Sequence, residues 1–285
     1  MNIEEALKEA IDKLNMNKVN ESTLKARMLL AFVLDKEKEY LVIHNKDEVE
    51  ERLLSPYFKY IDEVIEGKPI QYITKHQEFM GLDFYVNENV LIPQPDTESL
   101  VEEVIKLADI VKSRINPSEN VKILDMCTGS GAIAVSLAEF IRKSEITAVD
   151  ISKLALKVAE YNAAVHEKKI KFIASNLFEE LNKNEKYHII VANPPYIESD
   201  VIKLLPKEVQ NEPIMALDGG RDGLYFYKEI ARNAKRYLEK DGFLALEIGY
   251  NQRDTVGEII ASNAYKDIAV KKDLSLNDRI IIAHI

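Results

Sequence analysis

The residues best placed to do chemistry are Asn193-Pro194-Pro195-Tyr196, which follow the apolar run YHIIVA. Two prolines fix φ and remove two backbone donors. The residue before each proline is held extended. What remains is a stiff loop offering main-chain acceptors, the Asn193 carboxamide and the Tyr196 ring. That inventory suits a planar amide or an aromatic amine, whose delocalised nitrogen is a poor nucleophile. If its two N–H groups donate to the Asn193 oxygen and the Pro194 carbonyl, its lone pair turns toward an electrophile. Holding the partners in near-attack geometry supplies roughly 7–11 kcal/mol in favourable model systems. No strong base is needed before attack, because the nitrogen becomes acidic once alkylated. A Tyr196 ring can pack on the flat face of such an acceptor. A proline turn at a strand end is the plain alternative.

A second cluster lies earlier, in Leu124-Asp125-Met126-Cys127-Thr128-Gly129-Ser130-Gly131-Ala132. Glycines permit torsions forbidden to other residues and let a ligand approach the main chain. Between a strand and its helix in a doubly wound sheet, such a loop lies where ligands bind. The loop lacks the Lys-Ser/Thr of a phosphate-binding loop. Asp125, ahead of the glycines, suits a cationic or amine-bearing ligand better than a pyrophosphate. The next strand ends in Asp150, where a carboxylate can take both ribose hydroxyls of an adenosine. Alternatively, Asp150 caps the helix opened by Ile151-Ser152-Lys153. Ser175-Asn176-Leu177-Phe178 follows a third strand and could grip adenine by an amide and apolar side chains. S-adenosylmethionine joins an adenosine to a sulfonium methyl, an electrophile attacked in line. The two clusters together therefore point to methyl transfer onto nitrogen.

These loops need a scaffold, and the hydrophobic pattern supplies one. Ile3, Ala6, Leu7, Ala10, Ile11 and Leu14 form one helical stripe. A second runs through Leu24, Leu30, Val33 and Leu34, and a third from Val49 to Ile65, stopping at Gly67. In GLDFYVNENVLIP, Asn-Glu-Asn between two runs predicts a hairpin. Asp96 is expected to cap the helix TESLVEEVIKLADIV. Then VKILDM, EITAVDI, KIKFIAS and YHIIVAN read as strands alternating with the helices GAIAVSLAEFI and KLALKVAEYNAAV. That alternation indicates α/β architecture, a mainly parallel sheet with helices on both faces. A helix around Leu224–Leu238 follows, then strands FLALEI and RIIIAHI, both expected at or near the sheet edge. The expected division is a helical domain over 1–75, a hairpin linker over 76–95 and the α/β domain over 96–285.

The chain has 285 residues, 46% hydrophobic and 30% charged, which suits two globular domains. Its formal net charge of -10 disfavours a large nucleic-acid footprint, which needs an excess of Lys and Arg. Cys127 is the single cysteine, so no intramolecular disulfide framework exists. It is read as apolar packing rather than as a nucleophile, since no base is paired with it in sequence. His44, His76, His166, His188 and His284 show no metal spacing, and no metal is expected. DGGRDG at 218–223 reads as a turn. The charged start and the lack of long apolar runs make the cytoplasm the expected compartment, with no membrane association.

With these motifs in place, the chain resembles the bacterial release-factor glutamine methyltransferases, also called the HemK family. The resemblance runs through GKPIQYITKHQEFMGLDFYVNENVLIPQPDTE, DMCTGSGAIA, AVDIS, NPPYI, EPIMALDGGRDGL and LEIGY. It implies a Rossmann-like class I S-adenosylmethionine-dependent methyltransferase domain, preceded by a helical domain that helps bind the release factor. It implies methylation of the glutamine in the Gly-Gly-Gln motif of class I release factors, leaving S-adenosylhomocysteine. By motif match, Asp125, Cys127, Thr128, Gly129, Ser130, Gly131, Asp150, Asn176, Leu177 and Asn193 would hold the cofactor. Asn193, Pro194, Pro195 and Tyr196 would hold the glutamine. A monomer without direct DNA binding is expected. Cys127 stands where many members have Gly and is expected to avoid positive φ. Gln94 replaces a usual Arg, Asn176 replaces a common Asp, and Glu247 is left without a role. Two rival readings share NPPY: a ribosomal-protein glutamine methyltransferase, disfavoured by IPQPDTE, and an adenine-N6 nucleic-acid methyltransferase, disfavoured by the acidic balance. A non-catalytic release-factor-binding module is disfavoured by the intact NPPY.

Overall fold

The computed structural model describes residues 1–273 and 275–285 and divides into two compact units. The first comprises Met1–Lys75 with Pro206–Asn211, and the second His76–Leu205 with Glu212–Ile285. The hairpin segment thus belongs to the second unit, and a short later segment joins the first.

The first unit is helical, with α1 (Ile3–Met16), α2 (Ser22–Leu34), α3 (Lys38–Ile43), α4 (Glu51–Ile65) and α5 (Ile70–Thr74). A reciprocal capping box starts α1: Asn2 Oδ1 accepts from the Glu5 N–H, and the Glu5 carboxylate accepts from the Asn2 N–H, both at 2.9 Å. Ile3, Ala6, Ala10 and Leu14 are buried, as their spacing requires. The α2 stripe differs from expectation. Leu24 is 44% exposed, while Ala26, Leu29 and Leu30 face the core. Small Ala26 lets Tyr57 of α4 approach closely enough to donate its hydroxyl to the Ala26 carbonyl at 3.2 Å, which fixes the helix phase. Lys25 is buried on this face and pairs with Glu208. The Asn211 amide donates to the Gly67 carbonyl at 2.9 Å.

The second unit opens with a hairpin, β1 (His76–Phe79) and β2 (Leu82–Tyr85). Its turn is Met80-Gly81, both at positive φ (54° and 70°), not the expected Asn87-Glu88-Asn89. Two left-handed residues in a two-residue loop match the right-handed twist of the strands, and Gly81 takes the second position without strain. Next come α6 (Pro95–Lys112), β3 (Val121–Met126), α7 (Ala132–Phe140), β4 (Ser144–Asp150), α8 (Lys153–Val165), β5 (Ile170–Ala174) and β6 (Tyr187–Ala192). The chain ends with β7 (Leu238–Glu247), β8 (Lys266–Lys272) and β9 (Asp278–His284). Gln94, not Asp96, is the N-cap of α6. Pro95 occupies the first turn, and Asp96 instead pairs with Arg279 at 3.1 Å.

The seven-stranded sheet runs β5-β4-β3-β6-β7-β9-β8. Pairs from β5 to β7 are parallel, and β9 is antiparallel to both neighbours. RIIIAHI, in β9, lies next to the sheet edge as expected, and FLALEI, in β7, lies one strand further in; the burial of both fits strands with neighbours on each side. The edge beside β9 is β8, KDIAVKK, whose lysines blunt it against further pairing, and β5 forms the opposite edge. One face packs on α6, α7 and the hairpin through Leu100, Val104, Ile133 and Phe84. The other packs on helices Tyr225–Ala234 and Arg253–Ser262 through Tyr227, Ile230 and Val256.

Asn162 of α8, 1% exposed, clamps the hairpin to the glycine loop. Its Nδ2 donates to the Ser130 carbonyl at 2.8 Å and the Tyr85 carbonyl at 3.0 Å, and its Oδ1 accepts from the Tyr85 N–H at 2.8 Å. Gly131 brings the loop against α8. It has φ +80°, and a Cβ there would lie 2.9 Å from the Ala159 Cβ. Gly129 has φ +54° with nothing within 4 Å of a Cβ. Gly131→Ala should therefore lose roughly 1–3 kcal/mol to overpacking as well as about 1–2 kcal/mol to its left-handed backbone. Gly129→Ala should lose the backbone part alone. Urea unfolding midpoints check this, and equal midpoints for the two variants would contradict it.

Candidate active site

The sheet register brings the two sequence clusters together. Met126 pairs with Val149 on one side and Ala192 on the other. The next residues, Cys127, Asp150 and Asn193, consequently leave the sheet side by side at the carboxyl ends of three adjacent parallel strands. A cavity of about 610 Å³ opens there. Cys127, Gly129, Asp150, Asn176, Leu177, Asn193 and Pro195 line it. Asp125, Thr128, Ser130, Gly131, Pro194 and Tyr196 are not among its lining residues.

Asp125 sits beneath the loop, fully buried. Its Oδ2 accepts the Thr128 hydroxyl at 2.5 Å, while Oδ1 has no partner. Burial pushes its pKa up to about 7, against the lowering effect of the Thr128 hydrogen bond. The Thr128 N–H donates to the Val149 carbonyl at 2.9 Å, tying the loop to β4. That tie corrects the expectation for Cys127. To turn the next peptide toward β4, Cys127 takes φ +62° despite its side chain. Burial also pushes its thiol well above the usual value, which leaves it protonated and unreactive.

Asp150 is gripped by backbone N–H groups on both carboxylate oxygens, from Gly129 at 2.9 Å and Ser152 at 2.8 Å. Burial nonetheless raises its pKa. The helix cap itself is Ser152, whose hydroxyl accepts from the Ala155 N–H at 3.1 Å. Leu177 holds φ +51° at the cavity wall. Ser175 stabilises that turn, donating its hydroxyl to the Leu177 carbonyl at 2.9 Å and accepting the Glu180 N–H at 3.0 Å. Asn176 donates its amide to Glu179 at 2.9 Å.

The Asn193–Tyr196 loop is held from behind by residues that no local sequence pattern links to it. Asn193 Nδ2 donates to the Thr97 hydroxyl oxygen at 3.1 Å, and that hydroxyl donates to Glu247 Oε2 at 2.6 Å. The Tyr196 hydroxyl is near enough to the Glu247 carboxylate to favour its charged form. Burial, with the Glu247 charge adding to it, raises the Tyr196 pKa, so its hydroxyl stays protonated. Gln252 donates to the Tyr196 carbonyl at 3.1 Å and accepts from the Gly249 N–H at 2.9 Å. The DGGRDG turn explains itself here. A Cβ on Gly219 would lie 2.7 Å from Tyr196 Cα, and one on Gly223 2.5 Å from the Tyr196 carbonyl oxygen. These two glycines let the turn press against the loop backbone.

The rest of the cavity wall is largely apolar and was not foreseen: Val90, Leu91, Ile214, Met215, Tyr225 and Phe226. Glu212, beside that wall in sequence, accepts the Ile92 N–H at 2.9 Å, and burial pushes its pKa up to about 7.

The donor set fits an adenosine-bearing cation. A carboxylate stands at the end of β4, apolar side chains form the walls, and Gly129 leaves open space where a Cβ would stand. Comparison with known proteins decides the family. The Methyltransferase small domain model matches residues 106–253 and the PrmC N-terminal domain model residues 5–74. The release factor glutamine methyltransferase of Clostridium acetobutylicum is 39% identical over 262 residues, covering 90% of each chain.

The chain belongs to the release factor glutamine methyltransferase family.

The relative of the same name from Moorella thermoacetica is 37% identical over 100% of this chain and 99% of its own. Among solved structures, a methyltransferase from Pyrococcus furiosus superposes with a TM-score of 0.54 at 15% identity, over 79% of this chain and 98% of that one. The fold is the class I S-adenosylmethionine methyltransferase fold. In this family setting, Asn193→Ala should lower kcat by roughly 10²-fold or more, as expected for loss of a group that orients the reacting atoms. Its cofactor affinity should stay near wild type. Asp150→Ala should instead weaken cofactor binding by roughly 10-fold or more, the loss of charge-assisted hydrogen bonds. Calorimetric titration with S-adenosylhomocysteine separates the two, and comparable dissociation constants for wild type and Asp150→Ala would refute the assignment.

Proposed function

We propose that this chain transfers a methyl group from S-adenosylmethionine to the side-chain amide nitrogen of the glutamine in the Gly-Gly-Gln motif of class I release factors. The observation that carries this reading is the Asn193 carboxamide at the cavity wall, with its N–H edge engaged by Thr97. Its oxygen is left to accept a proton-bearing nitrogen, and a glutamine amide brings two such N–H donors. We assign one to Asn193 Oδ1 and the other to the carbonyl of Pro194, which sits in the chain between the lining residues Asn193 and Pro195, so the amide plane is fixed. The bound cofactor supplies an electrophilic methyl group. Pro195 and the apolar wall exclude water that would compete for the amide's hydrogen bonds. After transfer the nitrogen is acidic and releases a proton without a dedicated base.

Asp150 is the group we assign to the ribose hydroxyls. Each carboxylate oxygen has a second lone pair beyond its backbone hydrogen bond. Leu177 and Phe226 offer apolar surface to adenine, and Asn176 keeps its carbonyl oxygen free of the amide bond to Glu179. Among the described residues no helix is long and apolar enough to cross a membrane. With a translation factor as substrate, we assign the protein to the cytoplasm as a monomer.

The test supplies methyl-labelled S-adenosylmethionine with one of three acceptors: release factor, the same factor with its Gly-Gly-Gln glutamine changed to alanine, or duplex DNA. Peptide mass spectrometry should find one methyl group on that glutamine, none on the alanine variant and no label in DNA. Label in DNA, or on another residue of the release factor, would overturn the reading.

A further inference from the structure

Glu247 and Thr97 are not among the cavity's lining residues, yet a chain of hydrogen bonds leads from them to the Asn193 carboxamide, which is. Glu247 is the last residue of β7 and is 2% exposed. Thr97 lies in the first turn of α6 and is 5% exposed. A threonine hydroxyl has one proton to donate, whereas an ionised carboxylate only accepts. The Thr97 proton is therefore committed to Glu247, at 2.6 Å. Toward Asn193 the same oxygen can only accept, so Asn193 must present its NH2 group, as it does at 3.1 Å. A carboxamide with its nitrogen turned inward has its oxygen turned away from Thr97.

We propose that Glu247, acting through Thr97, is the positioning group that sets which edge of the Asn193 carboxamide meets the acceptor. This rests on the amide-methylating reading above. The chain of bonds runs one way because it ends in an anion. Were Glu247 protonated, it could donate to Thr97, Thr97 could donate to the Asn193 oxygen, and the flipped carboxamide would offer N–H groups to an N–H acceptor. The relay thus selects for a substrate atom that donates hydrogen bonds.

The surroundings make that anion conditional. Burial pushes Glu247 up to about 7, while the Thr97 hydroxyl, the Arg279 guanidinium and the Tyr196 hydroxyl favour its charged form and Asp96 opposes it. The Tyr227 hydroxyl donates to the Glu247 carbonyl at 3.0 Å. Arg279 is shared with Asp96 at 3.1 Å and Asp273 at 3.0 Å, so its charge is not given to Glu247 alone. Since the raised pKa means the carboxylate prevails above about 7, turnover should fall as pH drops through that value.

The test compares wild type, Thr97→Val, Thr97→Ser and Glu247→Gln, all checked for native unfolding midpoints. Using release factor as acceptor, Thr97→Val should lose roughly 10-fold or more in kcat, with KM for release factor and cofactor affinity changed by less than about threefold. Thr97→Ser, which keeps the hydroxyl, should recover most of the lost turnover. The acid limb of the wild-type kcat profile near pH 7 should vanish in Glu247→Gln. Wild-type turnover in Thr97→Val, a serine variant no better than valine, or an unchanged acid limb in Glu247→Gln would each overturn the relay. A second readout is independent of the acceptor: the Asn193 side-chain amide signals in protein labelled with 15N-asparagine, assigned with Asn193→Asp. They should titrate near pH 7 in wild type, not in Glu247→Gln, and should shift in Thr97→Val. Amide signals unmoved by pH and by Thr97→Val would overturn the relay even if release factor proved to be the wrong acceptor.

Discussion

The chemistry of this protein depends on the register of three parallel strands. Pairing Met126 with both Val149 and Ala192 brings the ends of β3, β4 and β6 within one residue of each other. A slip of one residue would move every side chain of a strand to the opposite face. The continuous apolar burial of β3 and β6 holds each strand between neighbours and fixes the depth at which it stops. From that common edge, Cys127, Asp150 and Asn193 emerge together, and a glycine loop, a carboxylate and a carboxamide share one cavity.

The loops at this edge are then held by buried polar side chains. Asn162, Gln252 and Glu247 each bind backbone or side-chain groups from distant segments. Burying such groups is unfavourable unless their hydrogen bonds are made. The raised pKa values of Asp125 and Glu247, each about 7, report that residual cost. These carboxyl groups take up protons in the folded state more readily than in the unfolded chain. Their effect on stability is therefore largest at low pH and fades as pH rises through about 7. The charged form that organises the site comes at the expense of stability, a common condition of functional sites.

Much of the scaffold is legible in the sequence because it rests on local pattern. The α/β alternation, the glycine loop and the prolines after β6 are all short-range signals. The helix Lys153–Val165 matches its periodic segment end to end. What the sequence hides is partnership across distance. Asn162 and Gln252 lie in no motif, Thr97 and Glu247 lie in IPQPDTE and LEIGY with nothing local to show their role, and the partners of all four lie on other elements. Local chemistry also misleads where tertiary contacts override it. Cys127 accepts a left-handed backbone because Thr128 must reach β4. Asp96 forgoes a cap for Arg279, and Asn-Glu-Asn makes a turn outside the hairpin, whose own turn is Met80-Gly81. The edge strand β8 escapes notice because a polar edge lacks the apolar run that marks an interior strand.

We propose that the Asn193 carboxamide oxygen and the Pro194 carbonyl together hold the two N–H groups of a substrate amide. A crystal structure of the protein with S-adenosylhomocysteine and a release-factor domain bearing Gly-Gly-Gln tests it directly. The glutamine amide nitrogen should lie within hydrogen-bond distance, about 2.7–3.2 Å, of both oxygens, with Asn193 still donating to Thr97. A glutamine bound away from Asn193, or an Asn193 turned so that its NH2 faces the substrate, would contradict it.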